Sequence, residues 1–214
     1  MARKVRRPVD GKRRRKPKAP QRRAAPRAPR KTRAPQRERP LFVIQKHQAS
    51  RLHYDFRLEV DGVLRSWAVP KGPSVDPKDK RLAVEVEDHR LDYAGFEGVI
   101  ADGEYGAGAV IVWDAGTYRQ LVSDDEGAPQ SMAEALEGGF AEVWLRGQKV
   151  RGGYKLVRAR LGGSDRNWLL IKKHDAEADA RRNPVATEPR SVLTGRTIGE
   201  VAAAGNARGG EDPG

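Results

Sequence analysis

The chain contains no cysteine. This absence excludes a disulfide framework and any metal site built from thiolates, so a bound metal ion would need His, Asp or Glu ligands. No apolar run reaches the roughly 18 residues of a membrane-spanning helix, and there is no apolar signal-peptide core. These absences favour a cytoplasmic protein with no membrane partner.

The first 40 residues lack aromatic side chains and hold only two acidic ones, against 18 Lys/Arg and seven of the 14 prolines. This composition cannot bury enough apolar surface to offset the entropy lost on folding, so we predict a disordered tail over residues 1–40. Because a cationic block releases counterions from a phosphate backbone, the tail predicts a nucleic-acid partner and a nucleoid-associated location, although a solubilising extension has the same composition. Residues 41–214 carry a net charge of −3, so the basic character belongs to the tail.

Residues 41–175 have the pattern of a mainly β domain. Short apolar or alternating segments are bounded by Gly, Pro and Asp, which are typical turn residues. The Asp61-Gly62 pair predicts a tight hairpin turn, because both of its positions need positive φ. The predicted strands are residues 42–44, 52–60, 63–69, 82–86, 109–113, 139–145, 153–159 and 168–172. We expect the strand over 109–113 to end at Asp114-Ala115-Gly116.

Few helices are expected. Ser131, followed three residues later by Glu134, predicts an N-capped helix over residues 131–136. A second short helix is expected within residues 191–203. Many short strands with one or two short helices indicate an antiparallel barrel or sandwich. Residues 176–214 are polar and rich in Ala and Gly, and we predict that they form a C-terminal tail with a frayed end.

The residues that point most clearly to chemistry lie between positions 47 and 59. Polar and apolar side chains alternate here with the period of a half-buried strand. One face would carry His53, Asp55, Arg57 and Glu59, and the other Tyr54, Phe56 and Leu58. Imidazole and carboxylate groups ligate divalent metal ions, and a guanidinium binds phosphate oxygens through paired hydrogen bonds. With His47 six residues before His53, the segment predicts a metal site beside a phosphate site.

Two other interpretations use the same residues. His53, Asp55 and the downstream His89 would also satisfy the two-His-one-carboxylate ligand set of non-haem iron oxygenases. The basic tail alone would be enough for a DNA-binding or scaffold module without catalysis. A separate alternative concerns Arg57 alone, which would merely pair with Glu59 or Asp55 across the strand.

Several segments of the body match one known family in unbroken order. They are residues 42–47, 52–59, 66–73, 86–89, 92–93, 96–98, 103–108, 112–114 and 168–172. Together they resemble the 3′-phosphoesterase domain of bacterial ATP-dependent DNA ligase D, which also occurs as a stand-alone protein. The resemblance covers residues 41–175, and the ordered set is far more specific than any single segment. It implies a compact antiparallel β-barrel enzyme that depends on Mn²⁺.

The resemblance also implies an activity and its residues. Such an enzyme trims DNA 3′ ends by removing a terminal ribonucleoside and then a 3′-phosphate, which leaves a 3′-hydroxyl. By this resemblance the metal ligands are His47, His53 and Asp55. The residues that hold the phosphate are Arg57, His89 and Tyr93, and the supporting polar residues are Gln45, Lys71 and Arg81.

Two departures from the family pattern modify these expectations. Fused ligase D proteins have an acidic stretch upstream of the barrel that contributes to ribonucleoside removal, whereas this chain has the basic tail, with Glu38 as the nearby acid. The phosphatase step is therefore implied more strongly than the ribonucleoside step. Residues 188–197 resemble the linker that precedes the ligase domain in fused proteins. We therefore expect a separately encoded ATP-dependent DNA ligase, polymerase or end-binding protein as a partner.

Overall fold

One antiparallel β-sheet closes on itself to form a barrel. The computed structural model describes residues 39–101, 103–104, 106–121, 127 and 130–209. The strands are β1 (Leu41–Gln48), β2 (Leu52–Val60), β3 (Val63–Val69), β4 (Lys80–Arg90), β5 (Gly98–Ile100), β6 (Gly108–Gln120), β7 (Phe140–Arg146), β8 (Arg151–Arg158) and β9 (Asn167–Lys172). Their order is β1-β2-β3-β4-β9-β8-β7-β6, and β6 pairs back onto β1 to close the barrel, while β5 pairs with one end of β6. The predicted mainly β barrel is confirmed.

The helices of the described residues are short and lie outside the sheet. The α-helices are α1 (Met132–Glu137), α2 (Pro184–Thr187) and α3 (Ile198–Gly209), and 3₁₀-helices span Leu91–Gly95 and Leu161–Gly163. The capping box predicted for α1 is present, since the Ser131 hydroxyl accepts from the N–H of Glu134 and the Glu134 carboxylate accepts from the N–H of Ser131. Among the described residues, no helix has both the length and the apolar character needed to cross a membrane. The predicted disordered tail lies outside the described residues, apart from its last two.

The hairpin of β2 and β3 shows how the local sequence separates the barrel core from the outer surface. Both strands have the predicted bounds, and the turn between them holds Asp61 at φ 48° and Gly62 at φ 88°. Tyr54, Phe56 and Leu58 point into the barrel, where each is at most 2 % exposed. The alternating polar side chains of β2 therefore lie on the outer face of the barrel.

Strand β6 does not end at Asp114-Ala115-Gly116, as the sequence predicts, but continues to Gln120. A register shift against β1 between Ile44 and Gln45 absorbs one extra residue of β6. The Asp114 side chain is fully buried and accepts the N–H groups of the β7–β8 turn, at Gln148, Lys149 and Val150. A Cβ atom at Gly116 would overlap the carbonyl oxygen of Arg146, so glycine here permits close strand contact. Asp114 and Gly116 therefore do not form a turn, but contact residues that are about 30 positions later in the sequence.

The segment after residue 183, predicted as part of a polar tail, packs on the barrel. We call residues 184–205 the C-terminal strap. Its backbone carbonyl at Glu188 accepts from Trp113 Nε1 at 2.7 Å and from the buried Lys149 Nζ at 3.0 Å. The N–H of Val192 donates to the carbonyl of Val112 at 2.9 Å. Val201 of α3 is 2 % exposed, so the helix expected in this region also has a buried face. The division of the chain at residues 40 and 175 stays a prediction.

We expect Asp114→Ala to lower the free energy of unfolding by about 2–4 kcal/mol, because it leaves buried N–H groups of the β7–β8 turn without acceptors. Urea denaturation at neutral pH measures this loss. Asp92→Ala is the matched control, since its carboxylate only pairs with Arg90 on the surface, and it should change stability by less than about 0.5 kcal/mol. Equal effects of the two substitutions would contradict the assigned role of Asp114.

Candidate active site

The polar residues of β1 and β2 lie on the outer face of the barrel, in a pocket of about 230 Å³. Its cover is formed by residues 91–101, 103–104 and 106–108, and these described residues are called the segment 91–108 below. The pocket is lined by His47, Ala49, His53, Asp55, Arg57, Ala68, Val86, Glu87, His89, Tyr93, Ile100 and Gly106. All three predicted metal ligands and all three predicted phosphate-holding residues are in this set. Strand β1 pairs with β2 in a register that sets His47 directly opposite His53, and Asp55 follows on the same face two residues later.

The three predicted metal ligands converge on one point. His47 Nδ1 lies 3.5 Å from one carboxylate oxygen of Asp55, and His53 Nε2 lies 3.5 Å from the other. One potential ligand atom from each residue lies within 4.8 Å of the other two. Two imidazole nitrogens and one carboxylate suit a divalent first-row metal ion, and they leave coordination positions for water and a phosphate oxygen.

Backbone carbonyls hold both histidines in a metal-ready tautomer. His47 Nε2 donates to the carbonyl of Gly106 at 2.8 Å, and His53 Nδ1 donates to the carbonyl of Arg51 at 3.0 Å. The opposite nitrogens then face the carboxylate of Asp55, to which each donates when it carries a proton and offers a lone pair when it does not. Acceptors facing an acceptor repel one another unless a cation lies between them, so this arrangement needs either a proton or a metal ion. A second nitrogen hydrogen-bonded to a carbonyl is also the usual outer-shell arrangement of metal-ligating histidines.

The electrostatics of the triad favour bound positive charge. Burial alone would raise the pKa of Asp55, but hydrogen bonds from His47 and His53 and the charge of Arg57 hold this pKa well below its ordinary value. Burial lowers the pKa of His53, but the hydrogen bond and negative charge of Asp55 outweigh it, so the pKa is raised. Asp55 is therefore ionised across the neutral range, as a metal ligand must be.

Arg57 is buried, at 3 % exposure, and its guanidinium connects the two halves of the pocket. Nη2 donates to Asp55 at 3.1 Å, and Nη1 donates to Ser66 Oγ at 2.7 Å. Nη1 also donates to His89 Nδ1 at 2.9 Å, and Nε donates to Gln45 Oε1 at 2.8 Å. Because these contacts use four of the five guanidinium N–H groups, at most one is left for a ligand. In this arrangement one N–H is left for a ligand, fewer than the two that paired hydrogen bonds to a phosphate would use, and the phosphate-holding role of Arg57 stays a prediction.

His89 reaches the pocket through a β-bulge. Leu64 and Ser66 of β3 pair with His89 and Val86 of β4, so two residues of β4 oppose one of β3. In a regular strand, residues three apart lie on opposite faces, and the bulge therefore places His89 on the same face as Val86. Burial, and then the charge of Arg57, lower the pKa of His89, so the ring is neutral at pH 7. Its Nδ1 lies 2.9 Å from both Arg57 Nη1 and the carbonyl oxygen of Glu87. The ring accepts from Arg57 when Nε2 carries the proton, and it donates to Glu87 when Nδ1 carries it.

Tyr93 lies in the 3₁₀-helix Leu91–Gly95 and forms the neighbouring wall of the pocket. Its ring stacks on Phe96 with centroids 4.9 Å apart, and it lies 4.9 Å from the ring of His89. The guanidinium carbon of Arg57 is 5.3 Å from the Tyr93 ring centroid, which is a cation–π distance. Burial raises the pKa of Tyr93, so its hydroxyl stays protonated and can donate a hydrogen bond.

The three predicted supporting residues have different positions. Gln45 is fully buried behind the pocket, and its side-chain amide donates to the carbonyls of Tyr93 and Phe96 at 3.0 and 3.2 Å. Lys71 is exposed in the turn after β3. Arg81 pairs with Asp79 at 2.7 Å. Neither Lys71 nor Arg81 lines the pocket.

Known proteins share this sequence pattern. A family model of the DNA ligase D 3′-phosphoesterase domain matches residues 45–158. The chain belongs to this family. Among its curated relatives, the multifunctional non-homologous end joining protein LigD of Pseudomonas aeruginosa is 50 % identical over 181 residues, which cover 81 % of this chain and 21 % of the relative. LigD proteins of Mycobacterium tuberculosis and Mycolicibacterium smegmatis are 49 % and 43 % identical over 128 and 135 residues. These cover 60 % and 63 % of this chain, but only 15 % and 17 % of those relatives.

All nine predicted site residues of this 3′-phosphoesterase family member lie within the matched range. The structure adds groups that sequence reasoning missed, namely the hydroxyl of Ser66, the carbonyl of Gly106 and the pocket-lining Glu87 and Ile100. Ser66 and Glu87 lie inside or beside the matching segments, so proximity to those segments could have indicated them. A carbonyl has no residue-specific signal. Glu59 shares the outer face of β2 but accepts from the N–H of Leu41, away from the pocket.

We expect the protein to bind one Mn²⁺ ion at this site, and His53→Ala or Asp55→Asn to weaken that binding at least about a hundredfold. Loss of an outer-shell partner alone commonly costs 10–100-fold, and these substitutions remove or neutralise ligands. Isothermal titration calorimetry with Mn²⁺ on the metal-stripped protein measures the affinity. His174→Ala is the matched control, because His174 is exposed and remote from the triad. Unchanged affinity in both triad variants would exclude this metal site.

Proposed function

We propose that this protein is a divalent-metal-dependent phosphoesterase, with Mn²⁺ as its metal, that removes 3′-phosphate groups from DNA ends. The observation that carries the proposal is the convergence of His47, His53 and Asp55 beside the donors of Arg57, His89 and Tyr93 in one pocket. Membership of the 3′-phosphoesterase domain family supports the reaction class. The relatives named for non-homologous end joining support a role in processing DNA ends for repair.

In this proposal each residue of the chain has a distinct task. His47, His53 and Asp55 would hold the metal ion, and the chemistry that such an ion would supply here is Lewis-acid catalysis at the phosphate. Arg57 holds Asp55 and His89 in place and adds positive charge where negative charge develops during phosphoryl transfer. His89, in the neutral tautomer that accepts from Arg57 on Nδ1, contributes a hydrogen bond from Nε2 to a phosphate oxygen. The Tyr93 hydroxyl donates a second hydrogen bond from the adjacent wall.

The product of this reaction is a 3′-hydroxyl, which is the group that ligases and polymerases extend or seal. We therefore propose that the protein acts together with an ATP-dependent DNA ligase, a polymerase or an end-binding protein. Removal of a 3′-terminal ribonucleoside is expected to be slower than removal of 3′-phosphate, because the basic tail replaces the acidic upstream stretch of the fused proteins. A primer ending in a ribonucleotide measures that second step.

The oxygenase interpretation has less support. It needs His89 as a ligand beside His53 and Asp55, but His89 Nδ1 is already in contact with Arg57 Nη1 and the carbonyl oxygen of Glu87. The third ligand atom near the other two comes from His47. A scaffold without catalysis would not require histidines oriented by backbone carbonyls. The scaffold and oxygenase interpretations each predict a different result in a 3′-phosphatase assay.

The decisive assay uses a primer–template with a 3′-phosphate, incubated anaerobically with Mn²⁺ or EDTA. We expect conversion to a 3′-hydroxyl with Mn²⁺ only, and a loss of at least about a thousandfold in His53→Ala, since the metal supplies several kcal/mol of charge stabilisation. His174→Ala should retain wild-type turnover. No conversion by protein that binds Mn²⁺ would refute the phosphatase activity and favour the scaffold. A requirement for oxygen would favour the oxygenase.

The basic tail is expected to supply DNA affinity and not turnover. A variant lacking residues 1–36 keeps Pro40, whose carbonyl accepts from the N–H of Tyr118. We expect its turnover on short oligonucleotides at saturating concentration to stay within about twofold of the full chain. Its affinity for duplex DNA should be lower, with a smaller slope of log K against log salt, because fewer counterions are released. An unchanged salt slope would show that the tail does not contact phosphates.

A further inference from the structure

The segment 91–108 provides the cover of the active-site pocket, and it is held from two sides. On the pocket side, Gln45 donates to the carbonyls of Tyr93 and Phe96, and His47 donates to the carbonyl of Gly106. These contacts connect the segment directly to the metal and phosphate sites. On its other side the segment contacts the C-terminal strap. No residue of the strap lines the pocket, so the strap has had no role in the site described so far.

Glu97 is the main polar link between the segment and the strap. One oxygen of its carboxylate accepts from the N–H of Val112 at 2.8 Å and from the hydroxyl of Ser191. Its other oxygen accepts from Thr194 Oγ1 at 2.6 Å. Ser191 is 6 % exposed, and its hydroxyl oxygen also accepts from the N–H of Leu193 at 2.9 Å. Through these hydrogen bonds, the carboxylate of Glu97 connects the pocket cover with β6 and with the strap. Hydrogen bonds to a carboxylate are stronger than those between neutral groups.

Glu97 also provides a hydrogen-bond acceptor at a position where one edge of β6 has no neighbouring strand. On the edge of β6 opposite β1, β5 pairs with residues 108–110 and β7 with residues 117–120, so the stretch between them has no strand partner. In this gap the N–H of Val112 donates to Glu97, and its carbonyl accepts from Val192 of the strap. Since unpaired backbone groups beside a barrel wall are costly, the segment and the strap depend on each other at this position.

Helix α3 provides a second, apolar link. Val201 packs with Ala109 and Ile111 of β6, and the helix contacts β5. At Gly205 the helix lies so close to β5 that a Cβ atom would overlap the side chain of Val99. The next residue, Ile100, lines the pocket. Contact with α3 therefore determines where β5 lies, and β5 leads directly into the pocket wall.

We infer that Glu97 and α3 are positioning elements of the active site, which hold the segment 91–108 so that Tyr93 and the Gly106 carbonyl keep their places beside the metal ligands. The C-terminal strap is then part of the catalytic architecture, although the family match ends before it, at residue 158. The catalytic consequence rests on the proposed phosphoesterase function, whereas the positional claim does not.

The first experiment measures hydrogen–deuterium exchange of the full-length protein in the absence of substrate. Glu97→Ala should accelerate exchange of amides in residues 91–108 by about tenfold or more, because their local opening becomes easier. Glu97→Gln keeps one side-chain acceptor and should show a smaller effect. Glu142→Ala is the matched control, since this carboxylate is also partly buried but pairs with Lys173 far from the pocket. Equal exchange of residues 91–108 in Glu97→Ala and the wild type would overturn the inference.

The second experiment compares two glycines of α3. Gly205→Ala should displace β5 from the helix, accelerate exchange in residues 98–108 and weaken Mn²⁺ binding about tenfold through loss of the Gly106–His47 contact. Gly199→Ala is the matched control on the same helix, because a Cβ atom there meets no atom within 4 Å. It should leave both measurements unchanged. If Gly205→Ala leaves exchange and Mn²⁺ affinity unchanged, α3 is not a positioning element.

Kinetics separate this inference from the proposed function. With the 3′-phosphate substrate, Glu97→Ala should lower kcat about tenfold while KM changes less than about threefold, because orientation of pocket groups is lost and most DNA contacts remain. Glu97→Gln should recover part of that rate. Faster exchange in a protein whose wild type has no phosphatase activity would refute the proposed function and leave the positional inference intact. Normal kcat with faster exchange would refute the catalytic consequence alone.

Discussion

The buried guanidinium of Arg57 joins the outer faces of four neighbouring strands. It lies on β2 beside Asp55 and donates to Gln45 of β1, Ser66 of β3 and His89 of β4. A buried charge is costly unless it is paired and its N–H groups are satisfied, and these partners provide both conditions. Because every partner is itself a pocket residue or lies directly behind the pocket, the requirement to satisfy Arg57 also sets the geometry of the site.

The same cation separates the two halves of the site electrostatically. Burial would raise the pKa of Asp55, but hydrogen bonds from His47 and His53, and then this cation, lower it. Burial, and then this cation, lower the pKa of His89. A neutral His89 can accept from Arg57 on one nitrogen and donate to a ligand from the other. A cation-binding triad and a set of neutral donors therefore lie side by side without neutralising each other. This pairing is the arrangement that metal-assisted phosphoester hydrolysis requires.

Closure of the barrel explains why the end of the chain contributes to the site. Strand β6 pairs with β1 along most of its length, but its other edge is shared by two short partners with a gap between them. Glu97 and the strap fill that gap, and the same Glu97 belongs to the pocket cover. The matched residues cover 21 % of the P. aeruginosa relative and 15 % of the M. tuberculosis relative, so this chain spans only a small part of their length.

The sequence by itself determined the features that depend on neighbouring residues. The two-residue period of β2, the Asp61-Gly62 turn and the capping box of α1 are local, and so is the approach of His47 to His53 across one hairpin. The family resemblance added His89 and Tyr93, but not how they reach the pocket. His89 reaches the pocket through a β-bulge in β4, which depends on the pairing of β4 with β3. Tyr93 reaches it from a 3₁₀-helix, where its carbonyl accepts from Gln45 of β1. The continuation of β6 beyond Asp114, the saturation of Arg57 and the docking of the strap likewise depend on partners 9 to 94 residues away. Only the tertiary structure brings such partners together, because local preferences carry no information about which distant backbone groups a side chain will satisfy.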